Sequence, residues 1–180
     1  MRVLIDACVL YPTVMREMLL GCAGRGLFEP RWSARILEEW ARAAARLGPE
    51  GEVLARGEIA ALSVTFPQAI VPAAPGLEGR LWLPDPDDIH VLAAAVAGSC
   101  DAILTVNAKD FPGNLLAEEG LFRAEPDGFL LRLLNEDPAG VGAVADAVLQ
   151  EARRLSGEDW QMRALMKKAR LPRLGKRLSA

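Results

Sequence analysis

The sequence predicts an α/β protein: a parallel sheet wrapped by helices, followed by a helical tail. Three observations predict it. Short runs rich in Val, Leu and Ile alternate with amphipathic stretches through the first three quarters of the chain. The first run, "RVLIDACVL", is apolar almost throughout, as a strand buried on both faces must be. From Pro138 onward no strand-like run remains.

The elements follow in order. "RVLIDACVL" reads as a buried parallel strand ending at Asp6. Pro12 can start the helix that runs through "TVMREMLLGCAGRG" and stops at its glycines. "LFEPRW" is a short strand or turn. Ser33 fits as N-cap of "ARILEEWARAAARLG", where Ile36, Leu37, Trp40, Ala44 and Leu47 recur at helical spacing and Gly48 marks the stop. "PEGEVLARGEIAALSVTF" makes another helix in spite of its two glycines, and "AIVP" a short strand. A Pro- and Gly-rich loop, "AAPGLEGRLWLPDP", leads into the helix "DDIHVLAAAVAG" and the strand "AILTV". A short helix "NLLAEEGL", a last strand "FRAEP" and a helix "DGFLLRLLNED" complete the alternation. Beyond them lie two helices, "AGVGAVADAVLQEARRLSG" and "DWQMRALMKKAR". This divides the chain into residues 1–135, with the sheet, and residues 136–180, a helical extension.

The 180 residues suffice for one domain with a real core and a small appendage. Half are apolar and a quarter charged, a globular composition. No apolar run approaches the roughly 18–20 residues of a membrane helix, and the start of the chain shows no signal-peptide pattern. The three cysteines, Cys8, Cys22 and Cys100, lack metal-ligand spacing and read as reduced core thiols of a cytoplasmic protein. The net charge of −3 is unevenly spread. Arg163, Lys167, Lys168, Arg170, Arg173, Lys176 and Arg177 meet no acid after position 162, which leaves 14 basic residues against all 24 acids elsewhere, a balance of −10. Such a basic end can meet phosphate, an acidic partner protein or only water.

In an open parallel sheet, ligands bind beyond the carboxyl ends of the strands. Asp6 ends the first strand, and Asn107 and Asp110 follow "AILTV". Asp88 opens the helix before that strand, and sequence alone does not bring it to the same edge. An unpaired carboxylate in an apolar strand is costly to bury, so Asp6 calls for a role. Clustered carboxylates raise one another's pKa unless a cation neutralises them. All-oxygen donors select hard ions such as Mg²⁺ or Mn²⁺, which activate water and stabilise charge on a phosphodiester. Bland readings compete. Asp85, Asp87 and Asp88 all suit helix capping, where acids complement the dipole, though capping accounts for only one or two of them. Ser33 reads as a cap, and Thr105 is a candidate to brace the site. The single histidine, His90, has no evident partner and reads as a packed or exposed side chain. Trp32, Trp40, Trp82 and Trp160 read as core or interface.

Four motifs in order, "LIDACVLYP", "WSARILEEWAR", "DPDDIHVLAAA" and "ILTVNAKDFP", resemble the PIN-domain family, most closely bacterial members akin to VapC-type toxins. The resemblance covers roughly residues 1–135. It implies a Rossmann-like three-layer α/β/α sandwich and a Mg²⁺ or Mn²⁺ site that cuts RNA. It also implies a site made of Asp6, Glu39 (with Glu38 as rival), Asp88 and Asp110 as catalytic residues, with Asp6, Asp88, Asp110 and Asn107 toward the metal. Asn107 stands where many relatives have Asp. The expected function is a metal-dependent endoribonuclease, the toxin of a toxin–antitoxin pair. Its expected partners are RNA, a cognate antitoxin and a second copy of the chain, with no membrane. Lys167, Lys168, Arg170 and Arg173 are the expected RNA contacts. The competing reading is a catalytically weak PIN-like module that binds RNA or protein. A haloacid-dehalogenase-like phosphatase is set aside because Cys8 stands where its second Asp is required, and no glycine-rich phosphate loop follows the first strand.

Overall fold

The computed structural model describes residues Met1–Ala180. In chain order it runs β1 (Arg2–Ile5), α1 (Ala7–Leu10), α2 (Thr13–Gly24), β2 (Glu29–Ser33), α3 (Ala34–Ala44), α4 (Gly51–Thr65), β3 (Ile70–Val71) and α5 (Pro75–Glu78). It continues with α6 (Ile89–Ala97), β4 (Ala102–Leu104), α7 (Gly113–Glu118), β5 (Phe122–Ala124), α8 (Pro126–Glu136), α9 (Pro138–Ser156), α10 (Met162–Lys168) and α11 (Pro172–Leu178). Single 3-10 turns lie at Ala45–Leu47 and Pro86–Asp88. No helix is long and apolar enough to cross a membrane.

The chain forms two compact units: Met1–Tyr11 with Phe28–Ala124, and Pro12–Leu27 with Glu125–Ala180. This division differs from the one expected at 135/136. The second unit starts at Glu125 and also takes in α2, which packs on α8 and α9.

The first unit holds the sheet. Its five strands are all parallel, in the order β3-β2-β1-β4-β5. The chain steps outward from β1 to β3, then crosses back to β4 on the other side of β1. Because parallel crossovers are right-handed, that reversal puts α3 and α6 on opposite faces of the sheet. It also opens a crevice beyond the carboxyl ends of β1, the central strand, and β4 beside it. Val3, Leu4 and Ile5 of β1 and Ala102, Ile103 and Leu104 of β4 are fully buried. Each large aliphatic side chain so buried contributes about 1.5–3 kcal/mol. The ladder continues one residue past β1, where the Asp6 amide donates to the Leu104 carbonyl at 3.1 Å. The backbones on either side of the crevice are therefore fixed to each other where the chemistry-bearing residues begin.

The sequence places most elements as they occur. α3 starts at Ser33, whose hydroxyl accepts from the Ile36 amide at 3.2 Å. Its apolar stripe, Ile36, Leu37, Trp40 and Ala44, is buried. Two additions come from proline placed at the start of a helix: α5 inside the expected loop, and α11, which makes three helices beyond Pro138 rather than two. In the second unit, the Asp137 carboxylate caps α9 through the Gly140 amide at 2.8 Å. The Asp127 carboxylate accepts from the Arg173 and Leu174 amides and so caps α11. Leu165, Met166, Leu171 and Leu174 are buried, so the basic end is a folded part of this unit.

Candidate metal centre

Asp6 is the first residue past β1 and 6 % exposed. A carboxylate so placed needs donors, and its neighbours supply them. The Thr105 hydroxyl, just past β4, donates to Asp6 Oδ2 at 2.7 Å, and the Cys8 thiol donates to the same oxygen at 2.9 Å. Burial, followed by the Asp6 charge, pushes the Cys8 thiol up to about 12, so it remains a protonated donor. The Thr105 hydroxyl in turn accepts from the Asn107 amide at 3.0 Å. The Asn107 side-chain amide donates to Asp88 Oδ2 at 3.2 Å. One polar chain thus joins Asp6 to Asp88 through the end of β4.

Asp88 reaches the sheet's carboxyl edge through local geometry. The 3-10 turn Pro86–Asp88 begins at Asp85, whose carboxylate caps it by accepting from the Asp87 amide at 3.0 Å. Residues three apart eclipse in a 3-10 turn, so Asp85 and Asp88 present their carboxylates on one side. Asp110 comes to meet them from the loop after β4. The buried ring of Phe111 anchors that loop, and the Arg123 guanidinium ties it down by donating to the carbonyls of Ala108 and Phe111 at 3.0 and 2.8 Å.

The result is a three-carboxylate cluster. One oxygen each from Asp85, Asp88 and Asp110 lies within 4.8 Å of the others, and all three side chains are partly exposed. The electrostatics register the crowding. Burial, then the charges of Asp6, Asp85 and Asp110, raise Asp88 to about 6 from an ordinary 3.8, and His90 opposes this. Oxygen ligands of one small ion at about 2.1 Å stand roughly 3 to 4 Å apart across it, so small side-chain shifts would close this set on a divalent cation. The donors are all oxygen, the chemistry of Mg²⁺ or Mn²⁺.

The sequence-predicted residues divide into three sets. Asp88 and Asp110 share the cluster; Asp6 bears on it through its charge and Asn107 through its bond to Asp88. Glu39 is held elsewhere on the same unit. Its Oε1 lies 2.8 Å from His90 Nε2 and 3.4 Å from the Arg35 guanidinium. Burial raises the Glu39 carboxyl, but His90 and Arg35 outweigh it and the net shift is downward. Of the two readings, packed or exposed, His90 is packed, and it has a partner that its sequence context did not show, Glu39; His90 is the residue of this pair that faces open space. It lines a cavity of about 120 Å³ with Ser33, Arg35 and Glu78. Glu38 separates cleanly from Glu39: it bridges to Arg42 at 3.0 Å and Arg56 at 2.9 Å on the surface, which lowers it to about 2. Lys167, Lys168, Arg170 and Arg173 lie on α10, α11 and the turn between them, with the Lys168 ammonium 4.5 Å from the centre of the Trp160 ring. The larger surface hollows, about 340 and 440 Å³, belong to α2, α9 and α10 of the second unit and contain none of the predicted acids.

Asp85 is the acid that sequence reasoning missed. Its position suggests capping, and it does cap. The signal that could have found it is the Asp-Pro-Asp-Asp spacing, which a 3-10 turn converts into a carboxylate pair.

Comparison with known families adds one result. The model of a family described as a PIN domain matches residues 2–109, more than half of the chain and every acid of the cluster except Asp110. No curated protein and no solved structure matches.

Proposed function

Because the chain belongs to the PIN-domain family, whose members are as a rule nucleases that use divalent metal ions, we propose that it is a Mg²⁺- or Mn²⁺-dependent endoribonuclease hydrolysing RNA phosphodiester bonds. We further propose that it acts in the cytoplasm as the toxin of a toxin–antitoxin pair, restrained by a cognate antitoxin. One observation carries the catalytic reading. Oxygens of Asp85, Asp88 and Asp110 lie within 4.8 Å of one another with no arginine paired to Asp88, and burial followed by the charges of Asp6, Asp85 and Asp110 raises Asp88, whereas arginines lower a carboxylate such as Glu38. Repulsion of that kind is maintained where a cation relieves it.

In this reading Asp6, Asp88 and Asp110 hold the ion, with Asp85 as a further donor. When bound, a divalent ion supplies Lewis acidity to a phosphodiester oxygen and to the attacking water. The chain's own residues do the positioning. Thr105 and Cys8 fix the Asp6 carboxylate from one side. Asn107 fixes Asp88, and Arg123 fixes the loop that carries Asp110. Such supporting bonds typically govern affinity by 10- to 100-fold. Glu39 enters through His90, which it approaches at 2.8 Å and whose charge opposes the raising of Asp88. Lys167, Lys168, Arg170 and Arg173 are proposed to bind RNA phosphates, since an acidic centre by itself repels RNA.

A second reading, a PIN-like module that binds RNA or protein with little cleavage, is favoured by Asn107: it brings an amide and spends that amide on Asp88. Incubating the purified protein with total cellular RNA in Mg²⁺, Mn²⁺ or chelator separates the two. Metal-dependent cleavage that disappears in Asp6→Asn supports the nuclease. Cleavage that survives both chelator and Asp6→Asn sinks it, and binding without cleavage in either metal favours the module.

A further inference from the structure

Three of the chain's four tryptophans have an evident use. Trp32 and Trp40 are core side chains, each 1 % exposed. Trp160 donates its indole N–H to the Ser156 hydroxyl at 3.1 Å and carries the Lys168 ammonium on its ring. Trp82 is 64 % exposed, and its indole meets no acceptor, ring or cation. A lone apolar side chain on a surface calls for no explanation by itself; the way this one is held, and where, does. Pro84 favours extended backbone at Leu83, and along an extended segment alternate side chains face opposite ways. Leu81 and Leu83 are buried accordingly, at 8 % and 1 % exposed, and Trp82 between them stands out. The segment is tied down just before it. The Arg80 guanidinium donates twice to the Glu119 carboxylate, at 2.9 and 2.8 Å, and the Leu81 amide donates to the Leu77 carbonyl at 3.0 Å. Three residues after Trp82 comes Asp85, one of the three clustered carboxylates. Three residues of chain span at most about 11 Å, so the indole is presented at the border of the cluster.

We propose that Trp82 is the base-reading contact of this centre. The inference rests on the nuclease reading above and adds to it how the strand is registered. The indole stacks on one nucleobase beside the phosphodiester held at the cluster, and that base decides where the cut falls. An aromatic face suits the task because every base has a π-face, so stacking binds without demanding one sequence. It demands instead a base that has left its own stack and pair. The charged groups nearby cannot supply the contact. The acids repel phosphate, and Arg80, the only basic residue between Arg56 and Lys109, is spent on Glu119. An indole already held in place also loses little freedom when a base arrives, so most of the stacking appears as affinity.

Short labelled RNA strands that differ only in one abasic ribose, walked across the cut position, test this in Mn²⁺. For the wild type, one abasic position at or next to the cut should lower kcat/KM by about 5- to 150-fold. Trp82→Ala should lose a similar factor on the intact strand and no longer distinguish that abasic strand, with an unchanged thermal melt because the side chain is exposed. Trp82→Phe keeps a ring and should restore most of the rate and the abasic effect. A merely structural Trp82 would leave the abasic effect in place in Trp82→Ala, and that result overturns the proposal. A wild type indifferent to every abasic position overturns it too. So does Trp82→Ala cutting the intact strand as fast as wild type, which would leave the ring to a protein partner. If the wild type cuts no strand, the nuclease reading fails instead, and binding of the same strands in Mg²⁺ decides the stack. The intact strand should then bind wild type more tightly than one of the abasic strands and quench the exposed indole's fluorescence; equal affinities overturn the proposal.

Discussion

Replacing Asp88 by Asn should make the metal-free protein more stable at neutral pH and leave it unchanged in acid. The substitution removes one of four mutually repelling charges and keeps an oxygen for the Asn107 amide to meet. Burial and the three neighbouring aspartates raise Asp88 from 3.8 to about 6. Between those values the folded protein holds a proton that the unfolded chain has released. Stability therefore falls as pH rises through this window, and the whole penalty stands above pH 6. The raise is worth about 3 kcal/mol if fully expressed. Solvent reaching this partly exposed carboxylate screens about half of it, leaving about 1–2 kcal/mol. In a chain of this length that is a melting-temperature gain of about 3–6 °C.

Thermal melts of both proteins in chelator, at pH 8 and at pH 4, measure it. The gain should appear at pH 8 and shrink toward zero at pH 4. Added Mn²⁺ should then reverse the order, because the wild type gains about 2.7 kcal/mol at a hundredfold excess over its dissociation constant, while the variant lacks a ligand. A variant that melts at or below wild type in chelator at pH 8 refutes the repulsion argument. An equal gain at both pH values shows that the charge of Asp88 is not its source.

Three other perturbations test neighbouring parts of the reasoning. Thr105→Val removes the 2.7 Å donor to Asp6 while keeping the side-chain shape, so the Mn²⁺ dissociation constant should rise about tenfold in a calorimetric titration; an unchanged constant would show that the bond does not position the ligand. Asp110→Ala should reduce cleavage more than Asn107→Ala, since only Asp110 brings a full charge to the cluster; the reverse order at saturating Mn²⁺ would make Asn107 the principal ligand. Lys167→Glu with Arg170→Glu should weaken RNA binding and flatten its salt dependence by about 0.7 for each phosphate no longer neutralised. Substitution suits this test better than truncation, because Leu165, Met166, Leu171 and Leu174 are core residues of their unit; an unaltered slope removes these two cations from the RNA interface.

The strands were legible because parallel strands buried on both faces must be apolar, and "RVLI" and "AIL" are. α3 was legible because cap, stripe and stop agree. The affiliation of α2 was not. It lies between the first two strands in sequence, yet its partners α8 and α9 come more than a hundred residues later, and local periodicity carries no record of which distant surface a buried stripe meets. The same limit applied to Glu38 and Glu39. Both are acids on one helix, and only the positions of Arg56 and His90, fixed by other elements, distinguish a surface bridge from a side chain set against a buried histidine.

Asp85 shows why a correct local explanation can hide a candidate site residue. Capping accounts for one of its oxygens, the one that meets the Asp87 amide. A carboxylate has two oxygens and room for about four hydrogen-bond partners, so satisfying the turn leaves capacity for another partner. The turn that Asp85 caps is also what brings it beside Asp88, three residues on. The cap and the cluster are thus consequences of one geometry. Asp85→Asn keeps an oxygen for the cap but removes the charge, whereas Asp85→Ala removes both. If Asp85 only shapes the turn, Asp85→Asn should bind Mn²⁺ as wild type does. If it also serves the cation, Asp85→Asn should weaken Mn²⁺ binding while the metal-free melt stays level or rises, because one repelling neighbour of Asp88 is gone.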